Sequence, residues 1–323
     1  MSENTDYDAL SRVVAVINGK GGVLKTSIVS NVGGCLARSG MRVLTIDLDI
    51  SGNLKLDLGM VGSELDDSGK GIVDAIWTGT PLPIARDVRP NLDMIFGGRA
   101  LEMLSKLAQS TMAEELPTGS VAAEFAARLG EVAEDYDLIL LDCPPGNPEL
   151  QDLALAATRW VLIPSKTDEG SWDGLLGVGP RVKRARKSNP ELQYLGVVLT
   201  AHNPSATRVY RNTRVRLEEV SETLPLLDTV IRHSETTAHD TRQRGQLAHE
   251  LAKDAGESKA LRLQALRTRG RGGEAGAPDL PAALSGTADS VAGDYTRLAQ
   301  EICDRISAAE QSAQPNAQVG AQA

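Results

Sequence analysis

Residues 16–28, VINGKGGVLKTSI, set an apolar run ahead of a glycine-rich turn, a lysine and a hydroxyl residue. Backbone N–H groups of such a turn, at the start of a helix, can wrap an anion, and the lysine adds a full positive charge. The spacing approaches G-x-x-x-x-G-K-[ST], the pattern of a loop that cradles nucleotide phosphates. Gly19, Lys25 and Thr26 fit it, whereas Leu24 stands where the second glycine is expected. A further lysine, Lys20, sits at the outer lip of the loop. In this reading Gly19, Gly21, Gly22, Val23, Leu24, Lys25, Thr26 and Ser27 contact the nucleotide. Lys25 holds the β- and γ-phosphate oxygens, and Thr26 offers its hydroxyl to Mg2+.

Carboxylates come from two other segments. TIDLDISGN carries Asp47 and Asp49, and LILLDCPPG puts Asp142 at the end of an apolar run. That is the place of an aspartate that reaches a metal through water. Thr26 and Asp142 are the candidate metal residues on this pattern. Pro144, Pro145 and Gly146 follow, where a segment sensing the γ-phosphate belongs. Each piece has a plainer use: glycine turns connect strands to helices, and aspartates cap helices. Their order, each at the end of an expected strand, is what points to a nucleotide site.

These residues need strands to hold them. Apolar, β-branched runs recur at 13–17, 42–49, 91–96, 137–142, 160–164, 194–201 and 226–231. A helix over about Thr26 to Ser39 follows the first, and helical patterns follow others. Continuous apolar strands alternating with helices predict an α/β fold, a mostly parallel twisted sheet with helices on both faces. Ligands of such sheets bind beyond the C-terminal ends of the strands. The chain divides into a tail over 1–11, a nucleotide-binding domain over 12–256, and a Gly/Ala/Arg/Pro-rich insertion or linker over 257–289. A helix over 290–310 packs on the domain, and a disordered tail fills 311–323. Tyr295, Leu298, Ile302 and Ile306 keep helical spacing in that last helix.

The bulk of the sequence narrows the class. The 323 residues are 41% apolar and 24% charged, ordinary for a globular protein. The net charge of −9 does not advertise nucleic-acid binding, so any such surface must be local. Cys35, Cys143 and Cys303 form no disulfide framework, as in a reducing cytosol. Cys143, beside Asp142, reads as a small buried side chain, not half of an iron–sulfur pair. The four histidines show no metal-ligand spacing, and no apolar run approaches the roughly 20 residues of a membrane span.

The blocks KGGVLKTS, VLTIDLDISGN, LILLDCPPGNPEL, WVLIPSKTDEGSWDGL and LQYLGVVLTAHNP closely resemble the ParA branch of the ParA/MinD ATPases. Those are P-loop NTPases with the deviant Walker A motif K-G-G-x-x-K-[ST]. The resemblance covers about residues 12 to 252 and resumes in the last helix. It implies an ATP- and Mg2+-dependent homodimer that sandwiches two nucleotides. It makes Lys20 the lysine that crosses to the partner's ATP, Asp49 the residue that positions attacking water, and Asp47 a neighbour of the metal. Lys20, Lys25 and Asp49 are thus the candidate catalytic residues. A cation at the lip of the loop would stabilise charge developing in phosphoryl transfer, as an arginine finger does. Two positions depart from the family: Ile50-Ser51 replaces Pro-Gln, and Leu24 replaces the glycine before the loop lysine. Leucine there is expected to keep a negative φ, its N–H on the phosphates and its side chain turned into the packing.

Between 181 and 216 lie Arg181, Lys183, Arg184, Arg186, Lys187, Arg208, Arg211, Arg214 and Arg216 against a single acid, Glu191. Arg232 and Arg242 follow, in a stretch that aligns with the family's DNA-binding arginines. Arg181, Lys183, Arg211, Arg214, Arg216, Arg232 and Arg242 are the candidates for neutralising DNA phosphates without base readout. A solvated helix face is the plainer use of such a run. About a dozen residues precede the first strand, too few for an operator-reading domain. The expectation is a cytoplasmic, nucleoid-associated partition ATPase. Its ATP dimer binds nonspecific DNA, and a ParB-like centromere-binding protein stimulates hydrolysis. The alternatives are a positioning ATPase that carries a protein cargo over the nucleoid, or a MinD-like membrane positioner. The Ala-, Gln- and Gly-rich end lacks the amphipathic helix a membrane positioner needs.

Overall fold

The computed structural model describes residues 7–202, 207–220, 224–269 and 284–313. Eight strands form one sheet: β1 (Val13–Val16), β2 (Val43–Asp47), β3 (Ala85–Arg89), β4 (Leu92–Ile95), β5 (Leu138–Asp142), β6 (Trp160–Ser165), β7 (Gln193–His202) and β8 (Leu226–Arg232). Their order across the sheet is β3-β4-β2-β5-β1-β6-β7-β8. All pairings are parallel except β3 with β4. The seven apolar runs of the sequence are the seven parallel strands. The sequence reading missed β3, ARDVR, because this edge strand is half polar and has no apolar run.

Eleven α-helices are described: α1 (Lys25–Arg38), α2 (Leu54–Asp57), α3 (Lys70–Thr78), α4 (Glu102–Ala108), α5 (Val121–Ala133), α6 (Pro148–Ala156), α7 (Glu169–Ala185), α8 (Thr207–Val220), α9 (Glu235–Arg244), α10 (Ala248–Arg269) and α11 (Ala288–Ala313). The sheet is buried on both faces because alternate residues of each strand enter different cores. Val13 and Ala15 pack with Leu150, Leu153 and Trp172 on one side. Val14 and Val16 pack with Ile28, Val32, Leu298 and Ile302 on the other. Gly33 lets α1 lie close on the sheet: a Cβ there would stand 3.0 Å from Thr45 Cγ2. Next to it, a Cβ on Gly34 would overlap Leu247 at 2.1 Å, so α1 also seats the segment leading into α10.

Two expected boundaries change. The segment 257–289 does not begin as a linker, since α10 continues to Arg269. Glu257, Lys259 and Leu261 are ordinary helix formers, and the Gly- and Pro-rich residues start only beyond them. Of the rest of that expectation, residues 270–283 lie outside the described residues, and 284–289 lead into α11. The last helix is longer than 290–310, and residues 314–323 also lie outside. The second half of the expected N-terminal tail packs on the domain, with Leu10 buried and the Tyr7 hydroxyl donating to the Ser188 carbonyl at 2.7 Å.

Candidate nucleotide site

The C-terminal ends of β1, β2, β5 and β6 converge on one spot. Val16 pairs with Asp142 and Asp47 pairs with Asp142, so β5 sits between the strand that feeds the loop and the strand that carries the acids. After β1 the chain turns at Asn18. Its buried side chain donates to the Pro164 carbonyl at 2.8 Å and accepts from the Lys20 N–H at 2.8 Å, which ties the loop to β6. From β7, the Thr200 hydroxyl donates to the Val23 carbonyl at 3.2 Å and holds the loop's far end. The exposed face is left to Gly21 and Gly22, and α1 starts at Lys25 with its first N–H groups free of side-chain caps. A rigid loop of outward amides at a helix N-terminus is an anion cradle.

Lys25 is buried, 6% exposed, and its Nζ donates to the Lys20 carbonyl at 3.0 Å. Burial pulls its ammonium below the usual lysine range, against the opposing pull of Asp142. Asp47 is fully buried and accepts from the Asp49 and Leu54 N–H groups at 2.9 and 3.0 Å. Asp142, 1% exposed, has neither oxygen in a hydrogen bond among the described residues. Burial and neighbouring Asp47 push the Asp142 carboxyl well above the usual range, with Thr26 and Lys25 as the favourable neighbours. An orphaned buried carboxylate is costly unless a cation meets it. Thr26, Asp47 and Asp142 therefore fit a hard divalent cation. Among the described residues no cluster of three or more His, Cys, Asp or Glu is placed to cage a metal. Such an ion would take its remaining oxygens from phosphate and water, as Mg2+ does.

Asp49 is half-buried, and its carboxylate accepts from the Ser51 N–H at 2.8 Å, within its own loop. Lys20 is ion-paired with Asp168, the residue that also caps α7 by accepting from the Ser171 N–H at 2.9 Å. That partner was not visible in the sequence. Cys143 is fully buried.

Leu24 differs from expectation. Its φ is +67° and ψ 25°, the left-handed conformation, at the N-cap of α1. The expected negative φ is wrong because the loop's path, not the residue type, sets this turn. A glycine-shaped turn is retained with leucine in it. The side chain does turn into the packing beside the α1 and α11 core. It also lines a cleft of about 150 Å3 with Ser27, Asn31, Lys166, Thr237 and Tyr295. The sequence reading did not find this cleft, because its walls come from segments far apart in the chain, from Leu24 to Tyr295.

The candidate DNA residues are placed unevenly. Lys183 and Arg211 are exposed on α7 and α8. Arg181 is 3.7 Å from Asp152, and Arg214 is 3.2 Å from Glu218. Arg216 pairs with Glu169 at 2.7 Å and lies over the Trp172 ring, which joins α8 to α7. Arg232 makes a forked pair with Asp294, itself 1% exposed, and Arg242 reaches Asp57 at 3.2 Å. Both of these arginines are built into the fold by buried carboxylates that the sequence pattern gave no means of pairing.

A central parallel strand, a phosphate loop and a buried acid at the end of the adjacent strand define a P-loop nucleotide-binding protein. The family described as an AAA domain, AAA_31, matches residues 11–194. The chromosome-partitioning ATPase Soj of Thermus thermophilus is 33% identical over 193 residues, 59% of this chain and 70% of that protein. The cobyrinic acid a,c-diamide synthase of Mycobacterium smegmatis with bound ADP and magnesium is 25% identical, covering 72% of this chain and 92% of that one at a TM-score of 0.58. The cell division ATPase MinD of Pyrococcus furiosus shares the fold at 20% identity and a TM-score of 0.61, over 91% of this chain and 99% of its own. The chain belongs to the ParA/MinD family of P-loop ATPases. Among the described residues no helix is long and apolar enough to cross a membrane.

Proposed function

We propose that this chain is a magnesium-dependent partition ATPase. In this reading it dimerises on ATP and binds DNA in that state without base readout. A ParB-like centromere-binding protein ends the cycle by stimulating hydrolysis. Lys25 and the loop amides grip the β- and γ-phosphates. Thr26, Asp47 and Asp142 would hold the metal, which when bound neutralises charge developing on the transferred phosphoryl group. Asp49 aligns the attacking water, and Lys20, once free of Asp168, reaches the phosphates of the facing subunit. Lys183 and Arg211 supply the most open phosphate contacts for DNA, with Arg181, Arg214 and Arg216 beside them.

The observation that carries this reading is the Lys20–Asp168 pair: α7, half of the basic surface, starts at the residue that holds the lysine of the nucleotide loop. A change at the phosphates is thereby linked to the surface that would meet DNA. The test is a gel-shift titration on unrelated duplexes with ATP, ADP or no nucleotide, over a range of salt. ATP-dependent binding that ignores sequence and falls steeply with salt is expected, and Lys25→Ala, by weakening ATP binding, should lower it sharply. Binding that is independent of nucleotide, or absent with ATP, counts against the reading.

A further inference from the structure

The geometry points to Lys166 as a second cation, in the same subunit, for the bound nucleotide, gripping the phosphate nearest the ribose. This rests on the nucleotide site described above and adds to it a residue outside the phosphate loop. Lys166 directly follows β6, the strand beside β1. A Cβ built on Gly22 would lie 3.9 Å from Lys166 Nζ, so the ammonium stands over the open face of the loop. Gly22 itself is exposed, with a φ of +72°.

No hydrogen bond or ion pair joins Lys166 Nζ to another described residue. The neighbouring cations are all engaged: Lys20 by Asp168, Lys25 by the Lys20 carbonyl at 3.0 Å, and Arg232 by Asp294 at 2.6 Å. Lys166 is half-buried, and its ammonium faces a loop of outward N–H groups, so positive charge lines both sides of a gap that an anion would fill. The anion's position follows from the two sides of Lys166. Lys25, Asp142 and Asp47 mark the end that takes the terminal phosphates. On the other side, Lys166 lines the cleft with Leu24, Ser27 and Tyr295, a concave pocket with room for a base. The stretch of a nucleotide that passes Lys166 is the sugar-proximal phosphate. Two residues further on, Asp168 holds Lys20, so the segment 166–168 meets both the ligand and the lysine of the loop.

The test is competition of ATP, ADP, AMP and adenosine against a fluorescent ADP analogue. It is run on the natural protein, Lys166→Ala, Lys166→Arg and Lys25→Ala, with thermal unfolding to confirm folding. Lys166→Ala should weaken ATP, ADP and AMP by a common factor on the order of tenfold and leave adenosine unchanged. Lys166→Arg should restore most of the affinity, and Lys25→Ala should weaken ATP and ADP but not AMP. ADP affinity unchanged in folded Lys166→Ala overturns the inference and leaves the site intact. A loss confined to ATP overturns it by placing Lys166 on the γ-phosphate. A natural protein that binds none of the four ligands overturns the nucleotide site itself.

Discussion

Asp47 and Asp142 stand side by side in register at the ends of adjacent parallel strands, both excluded from solvent. Asp47 accepts two backbone N–H groups, and Asp142 accepts none. Burial pushes the Asp47 carboxyl up to about 7, and neighbouring Asp49 adds to the push against the relief of its own hydrogen bonds. The strand pairing therefore holds two carboxylates that form no ion pair among the described residues, with Lys25 as the nearest cation to Asp142, an arrangement that suits a cation-binding site better than a stable fold. Asp142→Asn should stabilise the nucleotide-free protein by about 1 kcal/mol, which raises Tm by roughly 2–4 °C for a domain of this class. The same change should remove the Mg2+ dependence of ATP binding. Calorimetric melting and ATP titration with and without chelator check both. A lowered Tm with unchanged Mg2+-dependent ATP affinity would contradict the assignment.

Leu24 occupies a conformation that costs an L-residue about 1–2 kcal/mol, and its half-buried side chain repays part of that against the α1 core. Leu24→Gly relieves the strain but frees the unfolded chain by about 0.4–1 kcal/mol and gives up the packing. The expected net change is within about 1 kcal/mol, with ATP binding kept because the backbone N–H is unmoved. Leu24→Ile should be clearly worse, since a β-branched residue is an outlier at positive φ. Urea unfolding of the three proteins checks the order; an isoleucine variant as stable as the natural protein would remove the strain argument.

How much of this could be read in advance depended on the range of each interaction. VVAVI, RVLTIDLD and DLILLD became β1, β2 and β5 because a strand buried on both faces must be apolar along its length, and that is a local signal. The three acids and the loop lysine followed, since each is fixed to a strand end. What escaped was non-local. Asp168 lies 148 residues from Lys20, and Asp294 lies 62 from Arg232. Neither pairing has a sequence pattern. The φ of Leu24 escaped for a different reason: loop closure overrode residue preference.

The two groups of arginines should separate experimentally. Lys183→Ala and Arg211→Ala remove exposed, unburdened charges. Each should flatten the salt slope of DNA binding by about one phosphate contact and leave stability within about 0.5 kcal/mol. Arg232→Ala instead takes the forked cation from the buried Asp294 and leaves it, among the described residues, Arg297 and the backbone N–H of position 232. Breaking a buried pair costs about 3–5 kcal/mol, and the one-third exposed Arg232 side chain brings the expectation down to about 2 kcal/mol. Gel-shift salt titrations and urea midpoints on the same preparations tell the two effects apart. An Arg232→Ala protein of full stability with weakened DNA binding would move Arg232 to the DNA surface.

Glu301 gives the fold a dependence on pH that can be predicted in sign. Its carboxylate accepts from the Asp228 and Thr229 N–H groups at 2.8 and 2.9 Å and pairs with Arg305 at 3.0 Å, fastening α11 to the start of β8. Burial acts to raise its pKa, but the hydrogen bonds to the charged form win and hold it below the usual glutamate range. A folded pKa below the unfolded one means that the stabilisation is fully present above the unfolded value, about 4.3, and is lost as pH falls through the folded value. Glu301→Gln keeps the shape but leaves an amide N–H2 facing two backbone donors. It should lower the urea midpoint at pH 7, and the gap to the natural protein should narrow on acidification below about pH 4. Unfolding curves for both proteins at pH 7, 5 and 3.5 make the comparison. A gap that stays constant across that range would show that the carboxylate's charge does not hold α11 in place.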